Sequence, residues 1–281
     1  MSKKKGSQKP NVNQETKNEY LLAATIEGEV PIMMMLIASK ASLEARNYQG
    51  GTPLMMAATV GRLPPLQVLL SAKADVNARD NQGATALHHA SLSGHPKVAE
   101  MLINAKADIH LQQYANKGTP FEIAVGNDKV DVARVLINAK ADVNAKFGSG
   151  FHAIQTTMYN RFPKMAELLI SCKANVDLID PTQQSCLYLA TSLNYPTVVK
   201  MMVEAGAKLD DPNFLGYTPL GSATRLGYTE IVKTLIDGKA NLDVVFKDGH
   251  TALTTAISDN ENEIAQMLID AGARMDLGLK K

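Results

Sequence analysis

The sequence predicts an all-α repeat solenoid of stacked helix-turn-helix units, and three observations carry that prediction. An alanine closing an A-K-A-D-like segment recurs at Ala41, Ala74, Ala107, Ala141, Ala174, Ala207, Ala240 and Ala273, every 33 residues apart from one step of 34. A Thr-Pro-Leu-like tripeptide keeps the same intervals, starting at Glu19, Thr52, Thr85, Thr119, His152, Ser185, Thr218 and Thr251. Between the two markers, apolar residues recur at helical spacing, as around Leu69-Leu70, Leu102-Ile103, Leu136-Ile137 and Leu235-Ile236. Such a period means that one small unit, unable to bury its apolar side alone, stacks on copies of itself.

Residues 1–17 are polar and lysine-rich, and read as a flexible basic tail without the apolar stretch of a secretory signal. Residues 18–281 form the repeat domain of about eight units, the first and last acting as caps. In each unit a first helix follows the tripeptide and buries its third residue, from Leu21 and Leu54 to Leu253. A small residue three positions on, such as Ala57 or Ala223, lets neighbouring helices approach. Pro53, Pro120 and Pro219 suit a first helical turn, where a missing N–H costs nothing. The second helix should stop at Lys40, Lys73, Lys106, Lys140, Lys173, Gly206, Lys239 and Gly272, where a left-handed residue, usually glycine, is expected. A lysine there costs on the order of 1 kcal/mol relative to glycine. Its attraction to the helix C-terminus returns about 0.3–1 kcal/mol. The last unit ends on polar residues from Asp259 to Glu263 and Gln266, as a cap should. The first carries Met33-Met34-Met35, three consecutive side chains that cannot all point inward.

Thr52-Pro53-Leu54 with Ala57-Ala58, Thr85-Ala86-Leu87-His88 with Ala90, Gly94-His95, and the Ala-Asp-Val-Asn ends at 74–77 and 141–144 together resemble the ankyrin repeat. The resemblance covers residues 18–281 and is weakest at His152-Ala153-Ile154. It implies a curved stack of helix pairs with projecting β-hairpin-like fingers, and a generic role in binding proteins. It further implies that His88 hydrogen-bonds between units, and that Asn77 and Asn144 match positions modified by asparaginyl hydroxylases.

Composition narrows the function. Lys plus Arg is 29 against 28 Asp plus Glu, a net charge of +1, which speaks against a nucleic-acid-coating protein. Cys172 and Cys186 have no partner at disulfide-framework or zinc spacing, which suits a reducing compartment and a cytoplasmic location. The Lys3-Lys4-Lys5 run is too short to mark a nuclear address. No apolar run approaches the roughly 20 residues that span a bilayer. His88 and His89 are adjacent on a helix and so diverge by about 100°, a poor geometry for sharing a metal. There is no phosphate-cradling or dinucleotide motif. The expectation is a non-enzyme without cofactor or metal.

Specificity should lie in residues that break the period. The inter-unit fingers hold Tyr48, Tyr114, Phe147, Phe151, Phe214, Tyr217 and Phe246, seven of the 14 Tyr and Phe residues in about a fifth of the chain. Exposed aromatics anchor protein interfaces because they bury much area with few rotatable bonds. Tyr159, Phe162, Tyr195 and Tyr228 sit where two helices join and extend that surface; Met56, His89, Arg225 and Leu226 add a concave first-helix face. The leading expectation is a protein-interaction scaffold or adaptor, with units four to seven as the main contact. The alternative is a structural subunit of a filament assembly, docking the lysine edge (Lys40, Lys73, Lys106, Lys140, Lys173, Lys239) on an acidic surface.

Overall fold

The computed structural model describes residues 13–114 and 117–276, with 16 α-helices among them. The chain divides into two compact units, Met1–Ala141 and Asp142–Lys281. In the first unit, α1 (Gln14–Glu27), α3 (Pro53–Val60), α5 (Ala86–Ser93) and α7 (Pro120–Gly126) pack side by side as one layer. A second layer holds α2 (Val30–Ala38), α4 (Leu63–Ser71), α6 (Pro96–Asn104) and α8 (Val130–Asn138). The second unit repeats the plan. Its first layer is α9 (Ala153–Tyr159), α11 (Cys186–Ser192), α13 (Pro219–Arg225) and α15 (Ala252–Ser258). Its second layer is α10 (Pro163–Ser171), α12 (Pro196–Glu204), α14 (Thr229–Asp237) and α16 (Asn262–Asp270). Leu54, Leu87, Leu220 and Leu253 are buried, as the tripeptide pattern requires.

Capping explains where the helices begin. The Thr119 hydroxyl accepts from the Glu122 N–H at 3.2 Å, and Thr218 accepts from Gly221 N–H at 3.2 Å, satisfying donors that have no helical partner. Helix α1 starts four residues inside the stretch expected to be tail; residues 1–12 lie outside the described residues. Its polar first turn is held by one local cap and two bonds to the end of α2. Asn13 caps it through the Thr16 N–H, the Gln14 amide donates to Lys40 O at 2.9 Å, and Lys17 Nζ donates to Ser39 O at 3.2 Å.

All eight second-layer helices end alike. At the first, Lys40 N–H donates to Ile37 O at 3.0 Å and Ala41 N–H to Leu36 O at 2.9 Å. That pairing closes the carbonyls of the last turn and requires a left-handed residue. Lys40, Lys73, Lys106, Lys140, Lys173 and Lys239 adopt it, with φ between 65° and 76°. The following alanine is buried at Ala41, Ala74 and Ala240.

Side-chain rungs then register successive repeats at six places. Asp75 N–H donates to Glu44 Oε1 at 2.8 Å and Asp108 N–H to Asn77 Oδ1 at 2.9 Å in the first unit. In the second unit Asn144, Asp177, Asp210 and Asp243 accept in the same way from the backbone N–H of Asn175, Lys208, Asn241 and Arg274. The expected β-hairpin-like fingers are closed turns. Among the described residues only two isolated antiparallel bridges occur, Lys146 with His152 and Ile179 with Ser185. A side chain does what a longer ladder would: Asp80 Oδ1 accepts from both Gln82 N–H and Ala84 N–H at 2.9 Å.

Candidate partner-binding face

The finger position occupied by Asp80 recurs as Asn47, Asp180 and Asn213, and each bonds its own turn in the same way. Phe147 and Phe246 stand at this position in their repeats. They are correspondingly buried, 6% and 3% exposed, and do not present rings to a partner. An apolar side chain cannot cap the turn, so it folds inward onto the helices.

Other predicted rings do face outward. Tyr48 is 90% exposed, Tyr114 62% and Phe214 60%, each on a finger tip, and Tyr159 and Leu226 are also exposed. Phe151, Phe162, Tyr195, Tyr217 and Tyr228 are half-buried, as are Met56 and His89, whereas Arg225 is exposed. The tips are held in place. In the first unit Asn81 N–H donates to Gln49 O at 3.1 Å and Tyr114 N–H to Gln82 O at 2.9 Å, linking successive fingers. The Tyr114 ring packs on Gly83, occupying the space of a β-carbon there, and the Arg79 guanidinium lies 5.5 Å from the ring centre. In the second unit Lys247 Nζ donates to Phe214 O at 2.6 Å.

Two tyrosine–carboxylate pairs line the second unit. The Tyr217 hydroxyl donates to Asp248, and its ring lies 4.7 Å from Phe246 and 5.3 Å from the Arg225 guanidinium. That bond raises the tyrosine pKa and lowers that of Asp248. Beside the pair, a shallow cleft of about 190 Å³ is bordered by Arg225, His250, Ser258 and Asp259. The Tyr159 hydroxyl donates to Asp180, and its ring is 4.9 Å from Phe151. Burial, then the Asp180 bond, pushes Tyr159 up to about 12. Burial works to raise Asp180, but donors from Tyr159, Gln184 and Thr182 outweigh it and its pKa is lowered. The acids of these pairs escaped the sequence reading, although Asp180 shares its repeat position with Asp80.

The two histidines separate as their helix positions demand. His88 is buried between Thr85 and the carbonyl of Gly118, and burial lowers its pKa to about 4. His89 Nε2 lies 3.0 Å from Asp80 Oδ2. The amide oxygens of Asn77 and Asn144 serve as rungs. Burial pushes the Cys186 thiol up to about 12. Among the described residues, no group of three His, Cys, Asp or Glu side chains could hold a metal ion, and no helix is long and apolar enough to cross a membrane.

The sequence profile of a family described as Ankyrin repeats (3 copies) matches residues 4–80, 21–113, 66–147, 121–213 and 208–278. No curated protein matches the chain.

Proposed function

The chain belongs to the ankyrin-repeat family, whose repeats are protein–protein interaction modules and typically non-catalytic, and on that premise we propose a non-enzymatic scaffold that binds a partner protein through its fingers and first-layer helix face. The observation that supports this most is the exposure of Tyr48, Tyr114 and Phe214 on turns already fixed by hydrogen bonds. Aromatic anchors on ordered turns lose little freedom on binding, so their buried area converts to affinity efficiently. Within the second unit Arg225, Leu226 and Tyr159 are exposed as well. Two free thiols suit the reducing cytoplasm as its location.

The test is partner capture from native lysate by wild type beside Tyr48→Ala/Tyr114→Ala/Phe214→Ala, with circular dichroism confirming retained helix. Loss of one protein from the variant's set supports the reading, and identical sets overturn it. A second reading, docking on an acidic filament, draws on the exposure of all six ladder lysines. Co-sedimentation that disappears in moderate salt would favour it.

A further inference from the structure

Helix α2 (Val30–Ala38) contains no polar side chain, a composition suited to a helix covered on every side. It is not covered. Ile32 is 45% exposed, Met34 59% and Met35 66%. Its neighbour α4 carries no charged residue either, while each of the other six second-layer helices carries at least two. Between α2 and α4 runs a groove of about 430 Å³ without a charged side chain, lined by Met34, Ile37 and Ala38 on one side and Gln67, Val68, Ser71 and Ala72 on the other. Corresponding grooves elsewhere include charged side chains. That between α6 and α8 includes Glu100, Asn104 and Asn138, and that between α12 and α14 includes Lys200, Glu204, Glu230 and Lys233.

Charge surrounds the α2–α4 groove unevenly. At the C-terminal ends of its helices stand Lys40 and Lys73, both exposed, and the Lys17 ammonium sits on Ser39 O. Lys40 and Lys73 pair with no carboxylate among the described residues. The nearby acids in sequence are engaged: Glu44 accepts from Asp75 N–H, and Asp75 accepts from Asn77 N–H. At the N-terminal ends, Glu29 and Arg62 oppose one another in sign.

We propose that the α2–α4 groove docks an amphipathic helix of a partner protein, its apolar stripe on the methionine side and acidic residues at the end that meets Lys17, Lys40 and Lys73. A groove between two parallel ridges accepts a rod bearing apolar residues at i, i+3, i+4 and i+7. Methionine supplies a deformable wall for such a stripe. A membrane surface would instead favour a protruding apolar edge. This surface is separate from the fingers, so it stands or falls independently of the scaffold reading above.

The probe is a labelled helical peptide of about 18 residues with a leucine stripe and glutamates at one end, compared by anisotropy with its lysine-for-glutamate counterpart. Wild type should prefer the glutamate peptide. Met34→Glu, on an exposed side chain, should weaken binding about tenfold or more with thermal unfolding unchanged. Lys40→Glu/Lys73→Glu should transfer the preference to the lysine peptide, and the triple finger variant should bind as wild type does. Absence of binding, equal binding of both peptides, or a finger variant that loses the peptide overturns the proposal. So does flotation on anionic phospholipid vesicles without peptide binding, or a wild-type dimer that Met34→Glu dissociates.

Discussion

The ring of Phe246 fills the space of a Gly221 side chain: a β-carbon on Gly221 would sit 2.2 Å from Phe246 Cζ. Gly221 lies within α13, where alanine would ordinarily be favoured by roughly 1 kcal/mol. Here Gly221→Ala should instead destabilise by about 1–3 kcal/mol through overpacking. Urea unfolding measures it, and Phe246→Ala in the same chain should remove most of the alanine's cost. Simple additivity of the two changes would show that the rings and helix do not compete for that space.

The lysine ladder makes an opposite pair of predictions at one position. Lys239, at φ 70°, carries left-handed strain. Lys239→Gly relieves strain on the order of 1 kcal/mol but also loses the cation, so it should raise stability by at most about 0.7 kcal/mol. Lys239→Ala keeps the strain and removes the cation, so it should lose about 0.3–1 kcal/mol. Denaturant midpoints moving in the same direction for both would sink the account.

Thr191 and Thr224 are fully buried, and their hydroxyls have no hydrogen-bond partner. Their repeat counterparts Thr25 and Ser91 donate to the carbonyls of Leu21 and Leu87. Replacing either unpartnered threonine by valine keeps the shape and removes the desolvation cost. Thr191→Val and Thr224→Val should each gain about 1 kcal/mol in thermal or chemical unfolding.

His88 should make stability depend on pH. Burial lowers its pKa from 6.5 to about 4, so the unfolded chain takes up a proton before the folded one does. Its contribution is complete above 6.5 and is lost as pH falls toward 4. The loss is on the order of 3 kcal/mol. Unfolding curves for His88→Gln should show a flatter slope across that window than wild type.

The period located the repeats, the helix ends and the left-handed lysines, because these are local demands of backbone closure that every copy must meet. It also placed Leu54 and Leu87 inside. What it could not separate was a finger ring that points out, such as Tyr48, from one that turns in, such as Phe246. Both are aromatic residues in a short polar segment. Only their repeat position distinguishes them: Phe246 aligns with the turn-capping Asp80, whereas Tyr48 aligns with Asn81 at the tip. The tyrosine–carboxylate pairs were invisible for a related reason. Tyr159 and Asp180 are 21 residues apart and meet only when neighbouring repeats stack.

The rungs all point the same way along the chain. Each acceptor, as at Asn77, Asp177 or Asp210, precedes in the chain the backbone N–H that it receives, 31 residues later. A repeat leaving the ribosome thus meets a docking platform already finished on the repeat before it. Within each unit, synthesis runs in the same direction as the hydrogen-bond template, so the growing chain can settle one repeat at a time without waiting for sequence still to be made.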